Sequence, residues 1–311
     1  MSTSTLTMTA TATAALFGLA ACGGSAGGGG DGELSGASIS VGGKDFTEQL
    51  ILCEMSVLAL EDAGADVTNK CNLQGSVAAR EALLAGEIDT YWEYTGTGWI
   101  THLGNADPIP DSDEQFTAVA EADLEQNQIE WLPYAPFNNT YALAANQATI
   151  EETGFETVSD LAEANNAGEP INVCVESEFA VRNDGLPGLQ EAYGTTFTPD
   201  QISELATGAI YAATGGDECQ FGEVFITDGR IVEQDLTVLE DDQAFFPIYN
   251  PSPNVRAELL EEYPGIADVF APIAEALDND TMTALNAQVD VDGETPEGVA
   301  EDWLKSEGLI G

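Results

Sequence analysis

His102 is the sole histidine in a chain of 311 residues, so a histidine-dependent triad would have to be built on it. It stands in Thr101-His102-Leu103-Gly104, no nucleophile elbow occurs at a strand–helix junction, and it reads as an ordinary helix-end residue. Gly96-Thr97-Gly98 opens like a dinucleotide fingerprint but lacks the third glycine. Asp290-Val291-Asp292-Gly293 matches half of a calcium loop and reads better as a turn. Neither Cys-x-x-Cys nor any Cys/His spacing argues for zinc. Carboxylates are so numerous, 55 Asp and Glu, that counting singles out no acid–base pair. These residues supply no enzyme chemistry, and no metal or cofactor is implied.

The same 55 acids stand against 7 Lys and Arg, a formal charge of −48. A surface this acidic repels phosphate backbones and anionic headgroups, which excludes nucleic acid and polybasic membrane docking. It also suits high external salt, where screening shortens and self-repulsion fades. With 43% hydrophobic residues the chain is globular rather than an acidic disordered tail.

Residues 1–30 carry no charged side chain. Their short apolar run ends in Leu19-Ala20-Ala21-Cys22-Gly23, followed by a Gly/Ser tract, and resembles a bacterial lipoprotein signal. The expectation is a signal peptide over residues 1–21, lipidation at Cys22, and a flexible tether over 22–36. The mature protein would be held on the extracytoplasmic face of the membrane by that anchor alone, since no other stretch is apolar and long enough to span. Setting Cys22 aside leaves Cys53, Cys71, Cys174 and Cys219, an even number in an exported chain. Of the three connectivities open to four cysteines, the local pairing of 53 with 71 and 174 with 219 is expected.

The elements that would position functional side chains follow from hydrophobic spacing. Ile39 to Gly43 alternates like a strand, and Glu48 to Ala63 reads as a helix with Ile51, Met55, Leu58 and Ala59 on one face. Val67–Leu73 is a second strand, Ser76–Ala85 a helix closed by Gly86, and Ile88–Trp92 an apolar run. That order predicts a parallel sheet with crossover helices. A second α/β series starts near Tyr141: helices at 158–164, 186–193 and 203–213, strands at 171–175 and 224–227. From Val255 onward the tail reads as mainly helical.

A set of ordered motifs carries a specific likeness. Val41-Gly42-Gly43-Lys44-Asp45-Phe46-Thr47-Glu48-Gln49 comes first, then Gly86-Glu87-Ile88-Asp89 and Tyr91-Trp92-Glu93-Tyr94-Thr95-Gly96-Thr97. Asn138-Asn139-Thr140-Tyr141, Arg182-Asn183-Asp184-Gly185, Thr227-Asp228-Gly229-Arg230 and Phe245-Phe246-Pro247-Ile248-Tyr249-Asn250 follow. Together they resemble the glycine betaine/carnitine/choline-type substrate-binding proteins of osmoprotectant ABC transporters, over about residues 39–310. The resemblance implies an α/β, type II periplasmic-binding-protein fold: two lobes joined by a hinge, with an interlobe ligand cleft. Lobe 1 would hold residues 37–140 and 246–311, and lobe 2 residues 141–245. The implied partners are a small quaternary-ammonium ligand and an ABC permease and ATPase complex. A sensor lobe of a membrane receptor is the alternative from another class.

A trimethylammonium group is charged yet has no N–H donor, so aromatic faces must hold it, at about 0.5–2 kcal/mol per favourable contact. The resemblance places the cage at Tyr94, Tyr141, Phe225 and Tyr249, with Phe225 where relatives often have Tyr. It assigns the ligand's carboxylate to Lys44 and Arg182, two of only seven cations, with Thr97 adding a hydroxyl and Asn139 a polar contact or a turn cap. Phe245 and Phe246 are expected in the core. Because choline would leave Lys44 and Arg182 unpaired, glycine betaine or a similar carboxylated betaine is expected over choline, with choline or carnitine capture as the nearest alternative.

Overall fold

The computed structural model describes Met1 and residues 32–105 and 108–311. Cys22, the signal-like leader and most of the tether lie outside the described residues. Ten strands occur among the described residues: β1 (Ser38–Lys44), β2 (Asp66–Leu73), β3 (Thr90–Tyr94), β4 (Ile129–Trp131), β5 (Tyr141–Asn146), β6 (Val173–Val175), β7 (Ile202–Glu204), β8 (Phe221–Phe225), β9 (Leu236–Val238) and β10 (Pro251–Arg256). They form two five-stranded sheets, ordered β2-β1-β3-β10-β4 and β7-β6-β8-β5-β9.

In the first sheet β2 and β3 run parallel to β1, as the strand–helix–strand order predicts. The expectation of a parallel sheet fails beyond β3. There β10, returning from the second sheet, lies antiparallel to both β3 and β4. The second sheet is mixed in the same way, with β6 parallel to β7 and β8 but β5 antiparallel to β8 and β9. β10 carries Pro251 and Pro253, which demote a segment as a strand when read from sequence. Their carbonyls still serve: Ala135 N–H donates to Pro251 and Leu132 N–H to Pro253.

The expected helix at 203–213 is also corrected. Residues 202–204 pair as β7 at a sheet edge, Leu205 N–H donates to Val175, and the helix runs Thr207–Gly215. A short apolar run fits either period, and the unpaired edge of β6 decides between them.

Helix Thr47–Asp62 is buried nearly all round, with Ile51, Leu52, Met55 and Leu60 in the core between the first sheet and the C-terminal helices. It lies so close to β1 that a Cβ on Gly43 would stand 2.7 Å from Cys53 Cβ. Gly43, immediately before Lys44, therefore sets how near the helix comes to the strand, and with it where Phe46 and Glu48 are placed. Disulfides join Cys53 to Cys71, tying this helix to β2, and Cys174 to Cys219, tying β6 to the segment before β8.

The chain crosses between the sheets twice, from β4 to β5 and from β9 back to β10. These two connections run side by side: Asn139 N–H donates to Tyr249 O, Tyr249 N–H to Asn138 Oδ1, and Thr140 Oγ1 to Pro247 O. Cross-links 18 and 45 residues apart remove unequal loop entropy from the unfolded chain. Replacing both Cys53 and Cys71 by Ala should lower unfolding stability by about 3 kcal/mol, and replacing both Cys174 and Cys219 by about 4 kcal/mol, in guanidinium titrations.

Candidate functional site

A cavity of about 690 Å³ lies between the two sheets where the connections cross. All eight non-cysteine residues singled out in the sequence line it: Lys44, Tyr94, Thr97, Asn139, Tyr141, Arg182, Phe225 and Tyr249. They arrive on different elements. Lys44 and Tyr94 end strands of the first sheet, Tyr141 and Phe225 are opposed in the second, and Asn139 and Tyr249 belong to the connections.

The rings make a continuous arc. Tyr249 meets Tyr141 at 5.4 Å between centroids, edge on, and Tyr141 meets Phe225 at 5.1 Å. Phe225 stacks on Phe46 at 5.5 Å, and Phe46 in turn faces Tyr94 at 6.2 Å. Phe46 is a fifth ring that the sequence reading passed over. Its signal was available, since it follows Lys44-Asp45 and immediately precedes a helix where a polar cap is usual. Gly96 makes room for the arc, because a Cβ there would stand 2.9 Å from the Tyr249 ring. Phe245 and Phe246 are half-buried in the packing behind Tyr141.

Two of the tyrosines are held by carboxylates. Tyr94 OH donates to Glu48 Oε1 at 2.7 Å and Tyr249 OH to Asp184 Oδ2 at 2.8 Å. Phe225 is fixed differently, by Phe46 on its face and by Tyr211 OH accepting its backbone N–H. Asn139 neither caps a turn nor reaches out alone; its Nδ2 donates to Glu48 Oε1 at 2.8 Å. Thr227 and Asn286 donate to the other oxygen of Glu48, so one buried carboxylate gathers donors from both sheets and a connection. Burial pushes the Glu48 carboxyl above its ordinary value despite these four bonds.

Neither candidate cation is free. Lys44, 2% exposed, donates to Glu93 Oε1 at 2.6 Å, with its nitrogen 5.0 Å from the Tyr94 ring centroid. Glu93 also receives Tyr91 OH and Tyr94 N–H and contacts His102 Nε2 at 2.9 Å. Burial works to raise this carboxyl, but Lys44 and His102 outweigh it and hold it well below the usual range. Arg182 is bidentate to Asp184, at 2.8 and 2.5 Å, and its Nη2 also donates to Thr97 Oγ1 at 3.2 Å. With its oxygen accepting from Arg182, the Thr97 hydroxyl hydrogen can turn to an acceptor in the cavity.

The premise behind the preference over choline is thereby corrected. It assumed that Lys44 and Arg182 would be stranded without a ligand carboxylate, yet Glu93 and Asp184 already neutralise them. Glu93 and Asp184 were hidden by the abundance of acids. Glu93 could have been found as the one charged residue in a five-residue strand that is buried throughout.

Polar contacts span the cleft at its mouth. Glu178, beyond β6, accepts from Ser76 N–H and Oγ at the start of helix Gly75–Leu84. On the opposite flank Arg230, near the end of β8, pairs with Asp228 and reaches Asp290 of helix Asn279–Asp290. Asp290 also accepts from Thr47, so this acid ends a helix and closes the flank.

Residues 37–306 match the family described as the substrate binding domain of the ABC-type glycine betaine transport system. The chain belongs to this family. A glycine-betaine-binding protein of Pseudomonas aeruginosa is 39% identical over 279 residues, covering 88% of this chain and 89% of that one. The glycine betaine-binding protein YehZ of Escherichia coli is 34% identical over 278 residues, covering 87% and 90%. A crystal structure described as a glycine betaine/carnitine/choline ABC transporter superposes with a TM-score of 0.71 at 27% identity, covering 88% of this chain and all of that one. The fold is the type II periplasmic-binding-protein fold, with two lobes and a cleft, and the family binds solutes outside the cytoplasm for transport and is not enzymatic. Among the described residues no helix is long and apolar enough to cross a membrane.

Glu93→Gln would leave the Lys44 ammonium buried without its counter-charge, and should lower stability at pH 7 by about 3–5 kcal/mol in a denaturant melt. Because Glu93 is held below its ordinary 4.5, its contribution is complete above that value and is lost as pH falls through the lowered one. The gap between wild type and variant should therefore narrow as the melt is repeated below pH 4.5.

Proposed function

We propose that this protein captures a trimethylammonium osmoprotectant of the glycine betaine class for ABC import. The observation that carries the reading is the arc of five rings, Tyr94, Phe46, Phe225, Tyr141 and Tyr249, around one wall of an interlobe cavity. Such a surface suits a cation that has no hydrogen-bond donors, which only ring faces can hold. Thr97, with Arg182 behind it, is the polar end available to a ligand carboxylate or hydroxyl. Relatives named for glycine betaine point the same way.

Lobe 1 comprises residues 37–140 and 246–311 and lobe 2 residues 141–245, a division supported by which strands share each sheet. Capture occurs as the lobes close, since rings from both sheets are needed to surround one cation. A permease and ATPase complex receives the ligand, and lipidation at Cys22 keeps the protein at the outer face of the membrane. A second reading, capture of choline beside carboxylated betaines, is favoured by the internal pairing of Lys44 and Arg182.

Calorimetry with glycine betaine, proline betaine, carnitine, choline and ectoine tests the class. At least one trimethylammonium compound should bind, and ectoine, which has no such group, should bind more weakly. Binding of none of them would reject the reading. Tyr94→Ala and Tyr141→Ala should each weaken betaine binding more than tenfold, and unchanged affinity in both would mean that these rings only pack the core.

A further inference from the structure

One carboxyl beneath the arc takes no part in the account so far. Glu223 is on β8 two residues before Phe225, on the same face of the strand, and faces Leu143, which is two residues beyond Tyr141 on β5. It therefore sits one rung below the pair of rings that floor the cage on the second sheet. It is 1% exposed. Oε2 accepts the Glu176 N–H at 2.9 Å, while Oε1 has no hydrogen-bond partner among the described residues. A buried carboxyl oxygen without a partner is expensive to ionise, so the group needs either a proton or a cation nearby.

We propose that Glu223 is the internal counter-charge of the cage: it is protonated before a ligand enters and ionises when a quaternary ammonium settles on the rings above it. The proton passes to the buffer and the carboxylate remains opposite the ligand's cation, so charge balances within the site. This rests on the cage reading of the cavity.

The surroundings fit that role. Tyr141 on β5, Tyr211 on helix Thr207–Gly215, and Glu176 and Arg182 beyond β6 are the titratable and charged groups that interact with Glu223. The tyrosines are neutral, since burial pushes both hydroxyls well above their ordinary value. Arg182 is committed to Asp184. Burial, with Glu176 adding to it, raises Glu223 to about 8, against the opposing pull of the Glu176 N–H and Arg182. An added cation in the cage acts in the direction of ionisation.

The test is proton counting by calorimetry of choline and glycine betaine binding at pH 7.5, in buffers of different ionisation enthalpy, with 3,3-dimethylbutan-1-ol as the uncharged isostere of choline. Wild type should release a substantial fraction of one proton with the charged ligands and none with the isostere. Affinity should rise with pH between 6 and 8, by at most about tenfold per unit. Glu223→Gln, an isostere of the protonated acid, should release no proton and show a flat affinity over that range. Thermal melts check its fold: the variant should gain stability relative to wild type as pH rises from 5 to 8, because only the wild type must hold a proton there. Binding by wild type without proton release, or equal release by Glu223→Gln, would overturn the proposal and leave the cage intact. Failure of both charged ligands to bind would overturn the cage reading itself.

Discussion

A charge taken out of water needs an opposite charge beside it, and that requirement organises the walls of the cavity. Lys44 comes with Glu93, Arg182 with Asp184, and Arg230 with Asp228 and Asp290. Each cation is therefore settled before any ligand arrives, and each partner has a second task. Glu93 binds the backbone of Tyr94, and Asp184 holds the Tyr249 hydroxyl. The ion pairs thus aim the rings. What remains for a ligand is an apolar, π-rich arc with polar atoms at one end. That is the complement of a permanently charged head that cannot donate a hydrogen bond.

The same economy shows in where the scarce cations sit. Arg80 is buried against Asp123, and Lys44, Arg182 and Arg230 are at the cavity. Positive charge has been kept mostly where burial leaves no substitute for it, while the surface is left to carboxylates. The −48 charge then describes the shell and not the site. Closure depends on polar atoms crossing the cleft. Glu178 supplies acceptors to the start of helix Gly75–Leu84, whose own Gln74 makes no side-chain cap, and Glu48 collects Thr227 from the other side. Relative movement of the sheets has to break these bonds, so they set part of the balance between open and closed forms.

Much of this was legible in the residue order, and the failures have physical causes. The first three strands and their helices show in hydrophobic spacing, because helix Gly75–Leu84 buries one apolar face and helix Thr47–Asp62 keeps apolar residues through nearly its whole length. Tyr94, Tyr141 and Tyr249 were located through motifs and Phe225 through the family resemblance, and all four line one cavity. β10 escaped because Pro251 and Pro253 argue against a strand, although only their carbonyls are needed there. β7 escaped because three residues at an edge carry no period of their own. The counter-charges were harder. With 55 acids, nothing in composition marks Glu93, Asp184 or Glu48 as special. Their roles come from tertiary proximity, although all three stand inside the motifs that carry the family likeness.

The central claim is that rings from both sheets surround one quaternary ammonium in the cavity between them. A crystal structure with bound glycine betaine tests it most directly. The account predicts the trimethylammonium nitrogen within about 6 Å of the centroids of Tyr94, Tyr141, Phe225 and Tyr249 together. Density for the ligand away from these rings, or with its carboxylate and not its ammonium against them, would contradict it.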